Sequence, residues 1–268
     1  MNISKITLKR LATGCALVVL PSLLMAQAYV IAPNGSKVEV EKIRVRSNGD
    51  LVVTVQGQSR DITTEQYLQA VGIKPDEIAQ AQALIQQGKD DEAAVILAEV
   101  IQSSRYQSWD AFAAEKLALI QLENDKIFEA KSTLDGIQKI YGDNMLTFFP
   151  FMEKVQWDVK VSSGDIAGLE EQLTMVLKSP DSTAERKARA LIVRGDLKAS
   201  RKDYKLAVLD YLRAEYFFGD NADLRAEALY KTATMFANIG DTGRLRKYST
   251  LLKETYPDSE YASKPIGS

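Results

Sequence analysis

From residue 76 to residue 255 the apolar positions recur at spacings of three and four, the period of a helix with one buried face. Ala188, Leu191 and Gly195 share one face, and Leu206, Leu209 and Ala214 share another with slight drift. Polar turns interrupt the pattern at Gly88-Lys89-Asp90, Asn124-Asp125-Lys126, Gly164-Asp165, Ser200-Arg201-Lys202-Asp203 and Gly240-Asp241. The resulting expectation is helix pairs at 76–87 and 90–104, 109–123 and 126–141, 145–162 and 165–178, 183–200 and 203–218, and 222–238 and 241–255. Ser182-x-x-Glu185 has capping-box form at one of these starts. Ala93, Ala130, Gly168, Ala207 and Leu245 mark a beat of 37, 38, 39 and 38 residues. A fixed period built of two amphipathic helices about a turn predicts stacked hairpins, here an α-solenoid of about five antiparallel pairs. The expected fold is therefore mainly α.

Ahead of the helices the period changes to two. Residues 37–46 alternate apolar and charged, and the parity switches between Val40 and Ile43, which predicts a bulge or a break into two strands. Asn48-Gly49 is a hairpin turn, because Asn-Gly readily supplies positive φ. Leu51, Val53 and Val55 alternate again, Gly57-Gln58 is a second turn, and Arg60 to Thr63 a further short strand. Tyr29 to Ala32 and the turn Pro33-Asn34-Gly35 precede them; Asn34-Gly35-Ser36 also fits a glycosylation sequon but is more simply the turn. Residues 29–63 thus form a small N-terminal β-meander of three or four strands. Thr63-x-x-Gln66 should open a short helix through Ala70. A meander of this size needs something to pack on. It would cap the helices or offer an edge to a partner strand.

Residues 1–28 have the form of a secretory signal. Lys5, Lys9 and Arg10 lead, Leu11 to Leu24 are mainly apolar, and Ala26-Gln27-Ala28 supplies the small-x-small cleavage pattern. The apolar run is shorter than the roughly 20 residues of a spanning helix. Cleavage after Ala28 is the first expectation and after Ala26 the second. Cys15 is not a lipidation site, since the apolar core follows it. The expected location is the periplasm, with secretion or outer-membrane association as alternatives, and without membrane insertion once the signal is gone.

The chain of 268 residues has no histidine, and Cys15 is its only cysteine. After cleavage neither residue type remains, which excludes Cys/His zinc sites, thiol redox centres, histidine triads and disulfides. No metal or cofactor is expected. Loss of the three positive charges of the signal leaves 31 Lys+Arg against 36 Asp+Glu, a net charge of −5. That balance lacks the footprint of a nucleic-acid binder or of a polybasic lipid patch.

Leu191, Gly195, Ala207, Tyr211 and Ala214 follow the order of large and small residues in tetratricopeptide repeats, with Lys198 where an aromatic is usual. Leu229, Ala233, Phe236 and Pro257 do so in the fifth repeat, where Leu245 and Ser249 depart from the pattern. The array, about residues 64–262, resembles that family, although its period of about 38 exceeds the family's 34. Tyr256 to Ala262 is similar to the repeat ends of bacterial periplasmic members. The resemblance implies a non-enzymatic scaffold whose first helices line a groove for a protein or peptide of the cell envelope. The partner-binding residues it implies are Phe112, Trp157, Lys160, Arg189, Tyr230 and Asn238, aromatics and arginine being common interface anchors. Self-assembly of the array end to end is a further option.

Phe148-Phe149-Pro150-Phe151 is either core filling or a docking patch. Asp90-Asp91-Glu92 and Glu170-Glu171 stand at starts of second helices, where acids complement the helix dipole. Their alternative reading is carboxylate chemistry or carbohydrate binding on cell-wall polysaccharide, which needs two acids facing each other across a cleft. The tail, 263–268, is expected to fray.

Overall fold

A computed structural model describes residues 28–217 and 220–266. The segment read as a signal lies outside the described residues up to residue 27. The described chain is mainly helical, with two small three-stranded antiparallel sheets at its N-terminal end.

The strands are β1 (Ala28–Ile31), β2 (Lys37–Val40), β3 (Lys42–Val45), β4 (Leu51–Val55), β5 (Gln58–Ile62) and β6 (Gln69–Val71). One sheet runs β2-β1-β6 and the other β3-β4-β5. The parity switch is a true break: β2 and β3 are separated by one residue and belong to different sheets. Gly49 (φ 91°) turns β3 into β4, and Gln56 and Gly57, both at positive φ, join β4 to β5. Val30, Val40, Ile43, Leu51, Val53 and Ala70 share the core between the sheets.

The meander therefore needs correction at its C-terminal side. The expected helix through Ala70 is only a 3-10 turn over Thr64–Gln66, held by Gln66 Oε1 accepting from Thr63 N–H at 3.0 Å. The backbone then extends at Tyr67, and β6 pairs with β1, placing Ala70 opposite Val30. Pairing with β1 and burial of Ala70 outweigh the local helical signal.

The helices are α1 (Asp76–Gln86), α2 (Asp90–Ser103), α3 (Trp109–Glu123), α4 (Ile127–Tyr141), α5 (Met145–Phe148), α6 (Met152–Ser163), α7 (Leu169–Lys178), α8 (Ala184–Ser200), α9 (Tyr204–Phe217), α10 (Ala222–Ile239), α11 (Thr242–Thr255) and α12 (Glu260–Ser263). Side-chain oxygens of Thr183, Asn221 and Asp241 cap α8, α10 and α11. Ser182, the expected cap of α8, lies one residue early. The expected helix 145–162 is broken into α5 and α6, because Phe149 precedes Pro150 and leaves helical geometry at φ −129°, ψ 68°. Gly164 and Gly168, both at positive φ, delay α7 to Leu169.

Packing follows chain order. α1 lies on α2, α2 on α3, α3 on α4, and α7 to α11 each on the next. α3, α6, α8 and α10 also meet in succession. Apolar side chains accordingly form a string of local clusters: α1–α3, α3–α6, α6–α8, α8–α11, and α10–α12. Phe149 is 3 % exposed and packs edge-on to Tyr141 with ring centroids 4.7 Å apart, so the phenylalanine run is core and not a patch.

The sheets are bolted to the α2–α3 loop. Trp109 Nε1 donates to Gly72 O at 2.8 Å and Ser108 Oγ to Ala70 O at 2.7 Å, while Tyr67 Oη, within the sheet region, donates to Gly49 O at 2.7 Å.

Candidate interaction groove and its C-terminal occupant

α3, α6, α8 and α10 turn a charged face toward a common groove. Lys154 on α6 reaches Asp158 and, across to α10, Glu227, both at 2.9 Å. Lys231 reaches Asp196 on α8 at 2.8 Å and Glu227 at 3.7 Å. Tyr211 Oη, from α9 behind, donates to Asp196 at 2.7 Å. Each acid sits one helical turn from a lysine on its own helix or faces one on a neighbour, so the network follows from i,i+4 spacing and the stacking of alternate helices.

Burial acts against every charge here. Burial works against the Lys154 ammonium, but Asp158, Glu227 and Asp196 outweigh it and hold the charge on. Burial opposes the Lys231 charge in the same way, and Asp196 and Glu227 overcome it. Burial raises the Asp158 carboxyl, with Asp196 and Glu227 adding to the rise and Lys154 opposing it. Glu227 is held below the usual range: burial would raise it, but Lys154 and Lys231 prevail.

The groove is not empty. The chain leaves α11, turns at Tyr256–Ser259, and lays α12 back over α10 and against α1. Tyr261 packs on Tyr230 with ring centroids 5.7 Å apart, joined by Leu252, Tyr256, Ala262 and Ile266. Burial pushes its hydroxyl well up, reinforced by Glu227, Glu260, Glu123 and Asp158. Glu260 faces Lys116 at 3.9 Å, Lys264 faces Glu123 at 2.6 Å, Tyr230 Oη donates to Pro265 O at 3.1 Å, and Gln86 Nε2 to Asp258 O at 3.3 Å. The segment expected to fray is thus seated as far as Ile266. Cavities of about 240 and 320 Å³, both lined in part by Tyr261, remain beside it. The first lies among Lys154, Asp158, Asp196, Glu227, Lys231 and Tyr261, the second among Phe112, Glu115, Lys116, Glu185, Arg189 and Asp223.

The six residues expected to bind a partner part company. Arg189 lines the second cavity but is 9 % exposed and ion-paired to Glu185. Phe112 lines it too, half-buried, with Trp109 edge-on at 5.9 Å. Tyr230 faces the first cavity beneath Tyr261. Trp157 is 2 % exposed, enclosed by Leu169, Leu173, Val176, Ala190 and Val193. It is a core residue filling the space between α6, α7 and α8, and its expected surface role is corrected. Lys160 lies outside the groove, in a cleft between α4 and α6 beside Phe128. Asn238 is exposed near the end of α10.

Sequence reasoning missed Lys154, Glu227 and Lys231. Their signal was present as the opposite-charge pairs Lys154/Asp158 and Glu227/Lys231 at i,i+4, which resemble any solvated helix face. Among the described residues no group of three or more acids is arranged to hold a metal ion, and no helix is long and apolar enough to cross a membrane. No family model, curated protein or solved structure matches this chain.

Proposed function

We propose that this chain is an exported, non-enzymatic scaffold of tetratricopeptide-like, solenoid character, which binds a protein or peptide of the bacterial envelope along the groove of α3, α6, α8 and α10. The observation that carries the reading is the seating of a peptide segment, residues 257–266, in that groove. A surface that already holds a short stretch of chain by one ring and two flanking charges has the chemistry to hold another. The neighbour-on-neighbour packing and the small-to-large fit of Gly195 against Tyr211 support the repeat reading. Asp158, Asp196 and Glu227, the acids of the first cavity, have lysine partners, which leaves them poorly placed for hydrolysis.

The test is affinity capture of the tagged mature chain from crosslinked envelope extract, in parallel with Asp223→Lys. Asp223 is an exposed acid on the rim of the second cavity. One enriched protein complex, lost with Asp223→Lys while circular dichroism is unchanged, supports the groove. Retention on cell-wall polysaccharide with no enriched protein would refute it.

A further inference from the structure

The C-terminal segment occupies only part of the groove, and does so with a short stretch of chain. α12 is a single turn of four residues and cannot stand without its contacts. Residues 257–266 are held by Tyr261, Ala262 and Ile266 packing with Leu229, Leu252 and Tyr230, by two charge contacts, and by two side-chain hydrogen bonds to the main-chain oxygens of Asp258 and Pro265. The lysine contact ends on Glu123, whose side chain is half exposed. A turn, Tyr256-Pro257-Asp258-Ser259, joins α12 to α11, and the cavities beside Tyr261 show that the groove is larger than its occupant. A purely structural strap would be expected to fill its seat.

We infer that residues 257–266 are a displaceable self-ligand, and that the groove recognises a short segment with an acid immediately before a tyrosine and a lysine three residues after it. Glu260, Tyr261 and Lys264 show the pattern: the acid meets Lys116, the ring meets Tyr230, and the lysine meets Glu123. A partner peptide carrying the same three features takes the seat and releases the chain's own tail. This rests on the groove being the partner surface. Because the tail is tethered, its effective concentration is on the order of millimolar, so a free peptide competes poorly until the tail is loosened. The apparent affinity then rises by the inverse of the fraction of open groove.

The probe is a fluorescein-labelled peptide with the sequence of residues 256–266, followed by anisotropy on the full mature chain. Tyr261→Ala in the protein is expected to bind it at least about ten-fold more tightly than the unaltered protein does. Replacing the peptide's tyrosine by alanine, or adding Lys116→Glu to the Tyr261→Ala protein, should abolish that binding. A second protein, with Glu260→Lys and Lys264→Glu, loosens the tail without opening a cavity and should also gain affinity. Equal affinity of all three proteins, or unfolding of both loosened variants by circular dichroism, would overturn the self-ligand and make the segment a structural strap. If that happens while envelope capture still depends on Asp223, the groove reading stands and only the self-ligand falls. Loss of both results removes both.

Discussion

Tyr211 on α9 lies where a side chain on Gly195 of α8 would have to go: a Cβ there would sit 2.7 Å from Tyr211 Cδ1 and 2.8 Å from Cζ. The ring cannot step aside easily, being 1 % exposed and tied through its hydroxyl to Asp196 at 2.7 Å. Gly195→Ala gains about 1 kcal/mol of helix propensity. Overpacking costs about 1–3 kcal/mol and displacing the hydroxyl about 1 kcal/mol more. The expected outcome is a net loss near 2 kcal/mol, lowering Tm by about 4–8 °C. A melting curve at or above that of the parent would refute the close fit.

Asp210, on the same pair of helices, is fully buried between Arg194, at 2.8 and 2.6 Å, and Lys198, at 2.5 Å. Burial would raise its carboxyl, but the hydrogen bonds from Arg194 and Lys198 hold it below the usual range. Such a group contributes stability above its ordinary value of 3.8 and loses it as pH falls through the lower folded value. Asp210→Ala strands two partly buried cations and should cost about 3–5 kcal/mol at neutral pH. Chemical denaturation at pH 7 and pH 3 checks both points: the gap between parent and variant should shrink in acid.

Trp157 separates a packing role from a binding one. Trp157→Ala should cost about 3–5 kcal/mol by opening a cavity among Leu169, Leu173, Val176, Ala190 and Val193. Trp157→Phe should keep most of the stability and all partner capture. Loss of capture by the phenylalanine variant, with its fold intact, would return Trp157 to the surface.

The helix pairs were legible because their punctuation is local. Gly88, Asp125, Gly164, Lys202 and Gly240 all take positive φ at the turns, and α3 spans the expected 109–123. What stayed hidden is non-local. β6 is three residues long and shows no alternation; it exists because β1, about 40 residues earlier, offers it an edge. The burial of Trp157 stayed hidden because it depends on Leu169, Leu173, Val176, Ala190 and Val193 from α7 and α8 closing around it. The charged lining of the groove looked like solvated surface until α3, α6, α8 and α10 were brought side by side. No helix period announces α12, since its place depends on Tyr230 and Lys116 far away in the chain.

Ala28 bears on where the proposed signal would be cut. It is 1 % exposed, lies in β1 opposite Val40, and packs in the core between the sheets. Cleavage after Ala28 would remove a buried strand residue, whereas cleavage after Ala26 keeps it. N-terminal sequencing of the exported protein is therefore expected to begin at Gln27. A start at Tyr29 would show that the sheet tolerates the loss, and an uncleaved chain would refute the signal itself.

Asp110 makes stability depend on pH between about 4 and 6. It is fully buried at the start of α3, beneath a loop in which Tyr106 and Ser108 both hold positive φ, a costly geometry for side chains of their kind. Oδ2 accepts from Tyr106 N–H at 2.9 Å, while Oδ1 accepts from Tyr141 Oη at 2.6 Å and Ala111 N–H at 2.9 Å. Burial pushes the carboxyl up to about 6, and these hydrogen bonds restrain the rise. Since the folded value lies above the ordinary 3.8, the folded state keeps its proton where the unfolded chain has released it. Stability contributed by this group is therefore greatest below pH 4 and falls as pH rises toward 6, by up to about 3 kcal/mol, then levels off. Asp110→Asn is neutral throughout and lacks the slope, but its amide turns a donor toward one of the three donors, at a cost of about 1–3 kcal/mol. The difference between parent and variant should thus be largest near pH 4 and smallest near pH 7 in urea titrations. A constant difference across that range would mean that the carboxyl titrates at its ordinary value and that the loop is held by hydrogen bonds to a fully charged group.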